Sequence, residues 1–128
     1  MTPALGGFEP GIVVWRRVPP RHFPKKPRRQ RPDSAAFDDD PDGGSMSVVI
    51  AREGRDPAEI LVGHDGFGLV SLTVEDLASV EQVVVHDPQD DEPDHALVVG
   101  TKTHGRRREM AKASRWVIRP PEAYPPSD

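Results

Sequence analysis

The sequence predicts an α+β fold, a single small domain with a mixed, mostly antiparallel sheet of four or five strands, one C-terminal helix and two short helices. Three observations lead to this prediction. The chain has 128 residues, 35% hydrophobic and 30% charged, which suits one modest core. Short β-rich runs alternate with short helix-forming segments. Apolar residues cluster after Ser47, whereas the first third is rich in proline and charge.

The first two strands are predicted on either side of a long loop. β-branched and aromatic residues fill 12–17, and this run ends before two prolines that cannot donate to a sheet ladder. Prolines recur through 18–44, so this stretch is predicted to be an extended loop, first basic and then acidic, anchored by Phe37. Residues 47–52 have a continuous apolar centre, which predicts a strand buried on both faces.

The middle of the chain predicts two short helices and a third strand. Asp56 precedes a proline and a first-turn carboxylate, a typical helix start, and this helix is expected to end at Gly63. Residues 67–73 alternate apolar and small side chains, which predicts a strand. Thr73 then caps a helix predicted to continue through Ser79.

Two β-rich runs, 81–86 and 95–100, predict a hairpin with an acidic loop at 87–94. Together the predicted elements contribute large apolar residues to one core. The predicted core residues are Val13, Trp15, Val48, Ile50, Ile60, Leu61, Leu69, Leu72, Leu77, Val84, Leu97, Val99, Met110 and Val117.

Helix-forming residues dominate 105–114 and predict the helix that covers the sheet. Residues 116–118 either finish this helix or add an edge strand, and the sequence leaves both alternatives open. The predicted domain spans the whole chain, 1–128, with 119–128 as a flexible tail after the last element.

The charges are separated along the chain into basic and acidic blocks. Eight cations and no acid lie between Pro10 and Pro32, and aspartates follow at 33–42. Such a basic block either meets a partner of opposite charge or pairs with the protein's own acids. The first alternative predicts an intracellular accessory protein that binds a protein partner. The predicted binding residues are Arg16, Arg17, Arg21, Lys25, Lys26, Arg28, Arg29, Arg31, Arg106, Arg107 and Arg108.

Nucleic-acid binding is an alternative interpretation of the same basic residues. Trp15 and Phe23 are interleaved with the first basic block, and aromatic rings beside cations are typical of surfaces that stack bases and contact phosphates. The net charge of −4 and the adjacent Asp38, Asp39 and Asp40 oppose this interpretation, because a tethered acidic run competes with phosphate for the same arginines.

A small enzyme or metal-dependent module centred on His86, His95 and Lys102 is a further alternative. If the two histidines lie opposite each other in the hairpin, Asp94 completes a set of ligands for a divalent metal ion. No other cofactor is expected. No catalytic motif is recognised, so no catalytic residue is assigned and binding is favoured over catalysis.

An anion site is also predicted where the last helix begins. Thr103 is placed to cap this helix, and Lys102 and Arg106 flank its N-terminus.

The sequence also predicts the cellular location. It has no cysteine, which suits a reducing compartment. Its first residues do not combine a basic segment with an apolar one, and no apolar run approaches the length needed to cross a membrane. We therefore expect a cytoplasmic protein without a membrane partner.

Several short segments together resemble a family of small uncharacterised proteins from high-GC bacteria. The resemblance spans nearly the whole chain and implies that 12–37 belongs to the fold. The segments are 14–20 (VWRRVPP), 34–37 (SAAF), 46–48 (MSV), 66–70 (GFGLV), 86–88 (HDP), 95–103 (HALVVGTKT) and 113–117 (ASRWV).

The chain is also similar to ADP-ribosyltransferase patterns in two places, an arginine on the first strand (Arg16) and a Ser-x-x-Phe on the next element (Ser34 and Phe37). It departs from that pattern in having no evident catalytic glutamate in a late strand.

Overall fold

The fold is built on one antiparallel sheet, seen in a computed structural model that describes residues 8–23, 31–40 and 44–119. The strands are β1 (Val13–Val18), β2 (Met46–Ile50), β3 (Gly68–Thr73), β4 (Val83–His86), β5 (His95–Val99) and β6 (Arg115–Ile118). Their spatial order is β4-β5-β2-β1-β3-β6. The α+β class is confirmed. The prediction of four or five strands was slightly too low, because the described residues form a sheet of six strands. The sheet is antiparallel rather than mixed, since every neighbouring pair of these strands is antiparallel.

The additional strand is β6, which lies beside β3 at one edge of the sheet. The helix before it, His104–Ala113, stops at Ala113, and the backbone of the following Ser114 is extended. Trp116 then packs on Gly68, so closely that a Cβ at Gly68 would lie 2.6 Å from the indole ring. The absence of a side chain at Gly68 therefore lets β6 close over the end of β3.

Two α-helices and a 3-10 helix pack on the first face of the sheet. α1 (Val74–Ala78) begins with a capping box, in which Thr73 and Asp76 bind each other's backbone N–H groups. α2 (His104–Ala113) buries only Met110 and Ala111 and leaves most of its basic side chains outward. None of the helices in the described residues is both long and apolar enough to cross a membrane.

Another 3-10 helix, Pro57–Leu61, covers the opposite face of the sheet. It places Ile60 against Trp15, Val49 and Leu69, which form a second, smaller core cluster. The cover is short and reaches only part of this face. Val99 and Val117, predicted to be core residues, are 40% and 38% exposed.

The loop predicted at 18–44 contributes Val18, Phe23, Ala36 and Phe37 to the core. Its acidic strap, residues 33–40, begins with the 3-10 helix Ser34–Phe37, which Asp33 caps by accepting a hydrogen bond from the N–H of Ala35. Phe37 is fully buried in the larger cluster, which confirms its predicted role as the anchor. Residues 24–30 and 41–43, like most of the tail predicted at 119–128, lie outside the described residues.

Candidate functional site

Arg16 occupies a gap between β1 and β2. The paired register of these strands covers Val14 and Trp15 but does not extend to Arg16. The guanidinium instead donates to the carbonyl oxygens of Ser47 at 2.8 Å and Ala36 at 3.0 Å. Burial lowers the pKa of Arg16, because it penalises the charged form, and the nearby carboxylate of Asp40 opposes this effect. Arg16 thus ties the acidic strap to the sheet.

The two aspartates that precede Asp40 in the strap bind cations from other parts of the chain. Asp38 accepts a hydrogen bond from Arg107 of α2 at 2.8 Å. Asp39 lies 2.6 Å from the ammonium group of Lys102, whose side chain is only 1% exposed. The strap therefore forms three ion pairs within the protein. Their cations are Arg16, Lys102 and Arg107.

The donors of the anion site predicted at the start of α2 have partners within the fold. Lys102 donates to the carbonyl oxygens of Val98 and Gly100 in addition to its pairing with the strap. Arg106 pairs with Glu81. Thr103 acts as the helix cap, accepting a hydrogen bond from the N–H of Arg106. Lys102, predicted to act with the hairpin histidines, is thus nearly fully buried and held by these groups.

The hairpin histidines do not face each other as predicted. His86 pairs with Ala96, so His86 and His95 point to opposite faces of the sheet. His95 instead contacts Asp87 through Nδ1 at 3.1 Å. The carboxylate of Asp94 is bound by two arginines. Across residues 8–23, 31–40 and 44–119, no group of three or more potential ligands is placed to hold a metal ion.

The arginines on Asp94 belong to an ion-pair cluster that the sequence analysis missed. Arg52 and Arg55, just after β2, bind the 5%-exposed carboxylate of Asp94. Arg55 also donates two hydrogen bonds to Glu92, at 2.5 and 2.6 Å. The sequence signal for this cluster is a pair of arginines just after one strand, β2, and a pair of acids just before another, β5. Their meeting depends on the non-local pairing of β2 with β5.

Acid is expected to weaken this cluster and lower the free energy of unfolding. Hydrogen bonds from Arg52 hold the pKa of Asp94 below its ordinary 3.8, and Arg55 lowers the pKa of Glu92 from 4.5. A carboxylate with a depressed folded-state pKa stabilises the fold above its unfolded pKa and loses that contribution as the pH falls through the folded value. We therefore expect the urea midpoint to fall as the pH drops below about 5.

The Asp94→Asn variant checks this expectation. It should have a lower urea midpoint than the wild type at neutral pH and a smaller decrease between neutral pH and pH 3. Asp90→Asn, the same change on an exposed residue of the same loop, should follow the wild-type profile. Identical pH profiles for the wild type and Asp94→Asn would contradict the prediction.

The remaining predicted binding residues differ in whether they have a partner in the described part of the chain. Arg17 donates through Nε to the carbonyl oxygen of Ile60 at 2.6 Å. Arg31 and Arg108 are exposed and have no hydrogen bond or ion pair to any other described residue, and Arg21, though exposed, has a partner. Residues outside the described ranges are Lys25, Lys26, Arg28 and Arg29.

Arg31 and Arg108 form the centre of a basic surface on the outside of α2. They line a depression of about 590 Å³ together with His104 and Lys112, and these four residues are called the α2 basic surface below. His104, Arg108 and Lys112 are spaced four residues apart, so they form one stripe along the helix. Asp33 is the one acid on the wall of this depression in the described part of the chain.

No protein-family model matches the chain, and searches of curated proteins and of solved structures found no match either.

Proposed function

We propose that the protein is an accessory protein that binds an acidic protein partner through the α2 basic surface. One observation carries this proposal: Arg31 and Arg108 are exposed side by side without a partner among the described residues, whereas most other described cations of the predicted surface are engaged within the fold. The predicted surface is therefore narrowed to the cations that internal pairing leaves available.

The arrangement of these cations has a cost in the free protein. Like charges four residues apart on a helix repel each other by a few tenths of a kcal/mol, and Arg108 and Lys112 are such a pair. Within the described part of the chain, Lys112 pairs with the exposed Glu109 alone, at 3.2 Å, and exposed pairs of this kind contribute little. A bound carboxylate-rich segment would remove the repulsion and would gain the charge-assisted hydrogen bonds that arginine makes with carboxylates.

The sequence between His22 and Asp33 carries further positive charge. The N–H of Asp33 donates to the carbonyl oxygen of His22 at 2.8 Å, so the two ends of the intervening segment meet. The sequence between them contains four more cations in addition to Arg31. They are Lys25, Lys26, Arg28 and Arg29.

A protein partner is favoured over nucleic acid by the lining of the depression. Its wall has no aromatic side chain among the residues that the structure describes, and stacking on aromatic rings supplies much of the affinity for single-stranded nucleic acid.

Affinity capture from the source lysate tests the proposal directly. The double variant Arg31→Glu/Arg108→Glu should lose an acidic protein that the wild type retains, by about tenfold or more in recovered amount. The matched control is Arg115→Glu/Arg119→Glu, which makes the same change in net charge at exposed residues outside the depression and should retain the partner. Capture should weaken with added salt.

Nuclease treatment separates the alternatives. A captured protein that survives nuclease and is lost only with the α2 variant supports the proposal. Equal loss from both double variants shows a response to net charge alone and overturns it, as does the absence of any specific partner. Recovery of nucleic acid that binds wild type better than the α2 variant would assign the surface to nucleic-acid binding instead.

A further inference from the structure

A second concave site lies on the other face of the sheet, where β1 and β2 separate. It is a cleft of about 450 Å³, within the range typical of small-molecule sites. β1 contributes Trp15 and Arg17, the turn before β3 contributes His64 and Phe67, and β5 contributes His95. Neither the α2 basic surface nor its proposed partner involves this cleft.

Arg17 is a cation of this cleft that no carboxylate of the described residues contacts directly, although the charges of Glu92 and Asp91 act on it from a distance. Its Nε is fixed by the carbonyl oxygen of Ile60, and its two terminal nitrogens have no hydrogen bond to any residue that the structure describes. Burial lowers the pKa of Arg17, so the guanidinium is partly removed from water. Asp91 and Glu92 also line the cleft, but neither lies within 4.0 Å of Arg17, and Glu92 is bound by Arg55.

Two histidines extend the polar wall on either side of this arginine. His64 lies beside Arg17, whose charge adds to burial in lowering the pKa of His64, and the imidazole contacts the edge of Phe67 at a centroid distance of 5.2 Å. His95 directs Nδ1 at the oxygens of Asp87, which can only accept, so Nδ1 carries the proton. Nε2 of His95 has no partner among the described residues, and in the neutral ring it is the acceptor.

We propose that this cleft binds a small organic phosphate, with the phosphate group on the terminal nitrogens of Arg17 and a hydroxyl group of the ligand donating to Nε2 of His95. The two terminal nitrogens of an arginine match two phosphate oxygens. The cleft is larger than a phosphate ion, and the unengaged carboxylate of Asp91 favours a ligand that also carries hydrogen-bond donors. The rings of His64 and Phe67 offer an apolar wall for the rest of the molecule.

Histidine-resolved NMR titration tests this site with AMP, inorganic phosphate and adenosine as probes. AMP should shift the imidazole signals of His64 and His95 at millimolar concentration or below, inorganic phosphate should act more weakly, and adenosine should have no effect. His86 and His104 lie away from the cleft lining and serve as internal references. Citrate tests whether a carboxylate replaces the phosphate.

Arg17→Gln should weaken AMP binding by about tenfold or more, and Arg115→Gln, an exposed arginine on the edge strand, should leave it unchanged. If Arg17→Gln does not fold, the pattern of shifts in the wild type decides alone. The proposal is overturned if AMP and phosphate leave His64 and His95 unmoved at about 10 mM, or if their effect is confined to His104. Citrate binding as well as AMP would show a general anion site and would overturn the phosphate assignment.

Discussion

Replacing Phe37 with alanine is expected to lower the free energy of unfolding by about 3–5 kcal/mol. The ring is fully buried in the main cluster, so truncation removes its contacts and leaves a cavity beneath the acidic strap. Urea unfolding followed by far-UV circular dichroism gives the change. A result of this size would mean that a segment which reads in the sequence as a proline-rich loop is part of the hydrophobic core.

Phe67→Ala is the matched control. Phe67 is partly buried, lies outside both core clusters and makes its ring contact with His64, so the same truncation should cost about 1 kcal/mol or less. Equal losses for the two variants, or a loss below about 1 kcal/mol for Phe37→Ala, would show that the strap does not stabilise the domain.

Arg16→Met is expected to lower the free energy of unfolding by about 3 kcal/mol. Methionine retains most of the apolar stem but leaves the carbonyl oxygens of Ala36 and Ser47 without their donor and the carboxylate of Asp40 without its cation. Removal of one partner from a part-buried charged pair is costly because the other partner remains partly desolvated. The measurement is again urea unfolding at neutral pH.

The double variant Arg16→Met/Asp40→Asn should recover part of this loss, because no unpaired carboxylate then remains in the gap. Arg115→Met, on an exposed arginine, should change stability by no more than about 0.5 kcal/mol. If the double variant were less stable than the sum of its single changes predicts, the proposed coupling between Arg16 and Asp40 would be wrong.

Local sequence signals predicted most of the secondary structure. The capping residue Thr73 marks the start of α1, and the five strands predicted from β-rich runs appear with their ends shifted by one or two residues. The sixth strand was left open because 116–118 suit either a helix or an edge strand. Its resolution depends on the contact of Trp116 with Gly68, which is distant in sequence.

The candidate site could not be predicted to the same degree, because the charges pair across the sheet. A run of aspartates beside a run of arginines suggests local pairing, yet Asp38 and Asp39 bind Arg107 and Lys102 from the far end of the chain. The sequence indicated which residues carry charge but not which cations would be left unpaired. In the hairpin, a shift of one residue in register was enough to send His86 and His95 to opposite faces.

The strand order also constrains how the chain must fold in time. β1 precedes the other described strands in the chain and lies near the middle of the sheet, and its neighbours β2 and β3 come later in the chain. Of the five strand pairs, only β4 with β5 joins consecutive strands through a short connection without a helix. Several long loops must therefore close before the strands they connect can pair, and this requirement favours slow folding. Until then β1 has no paired neighbour.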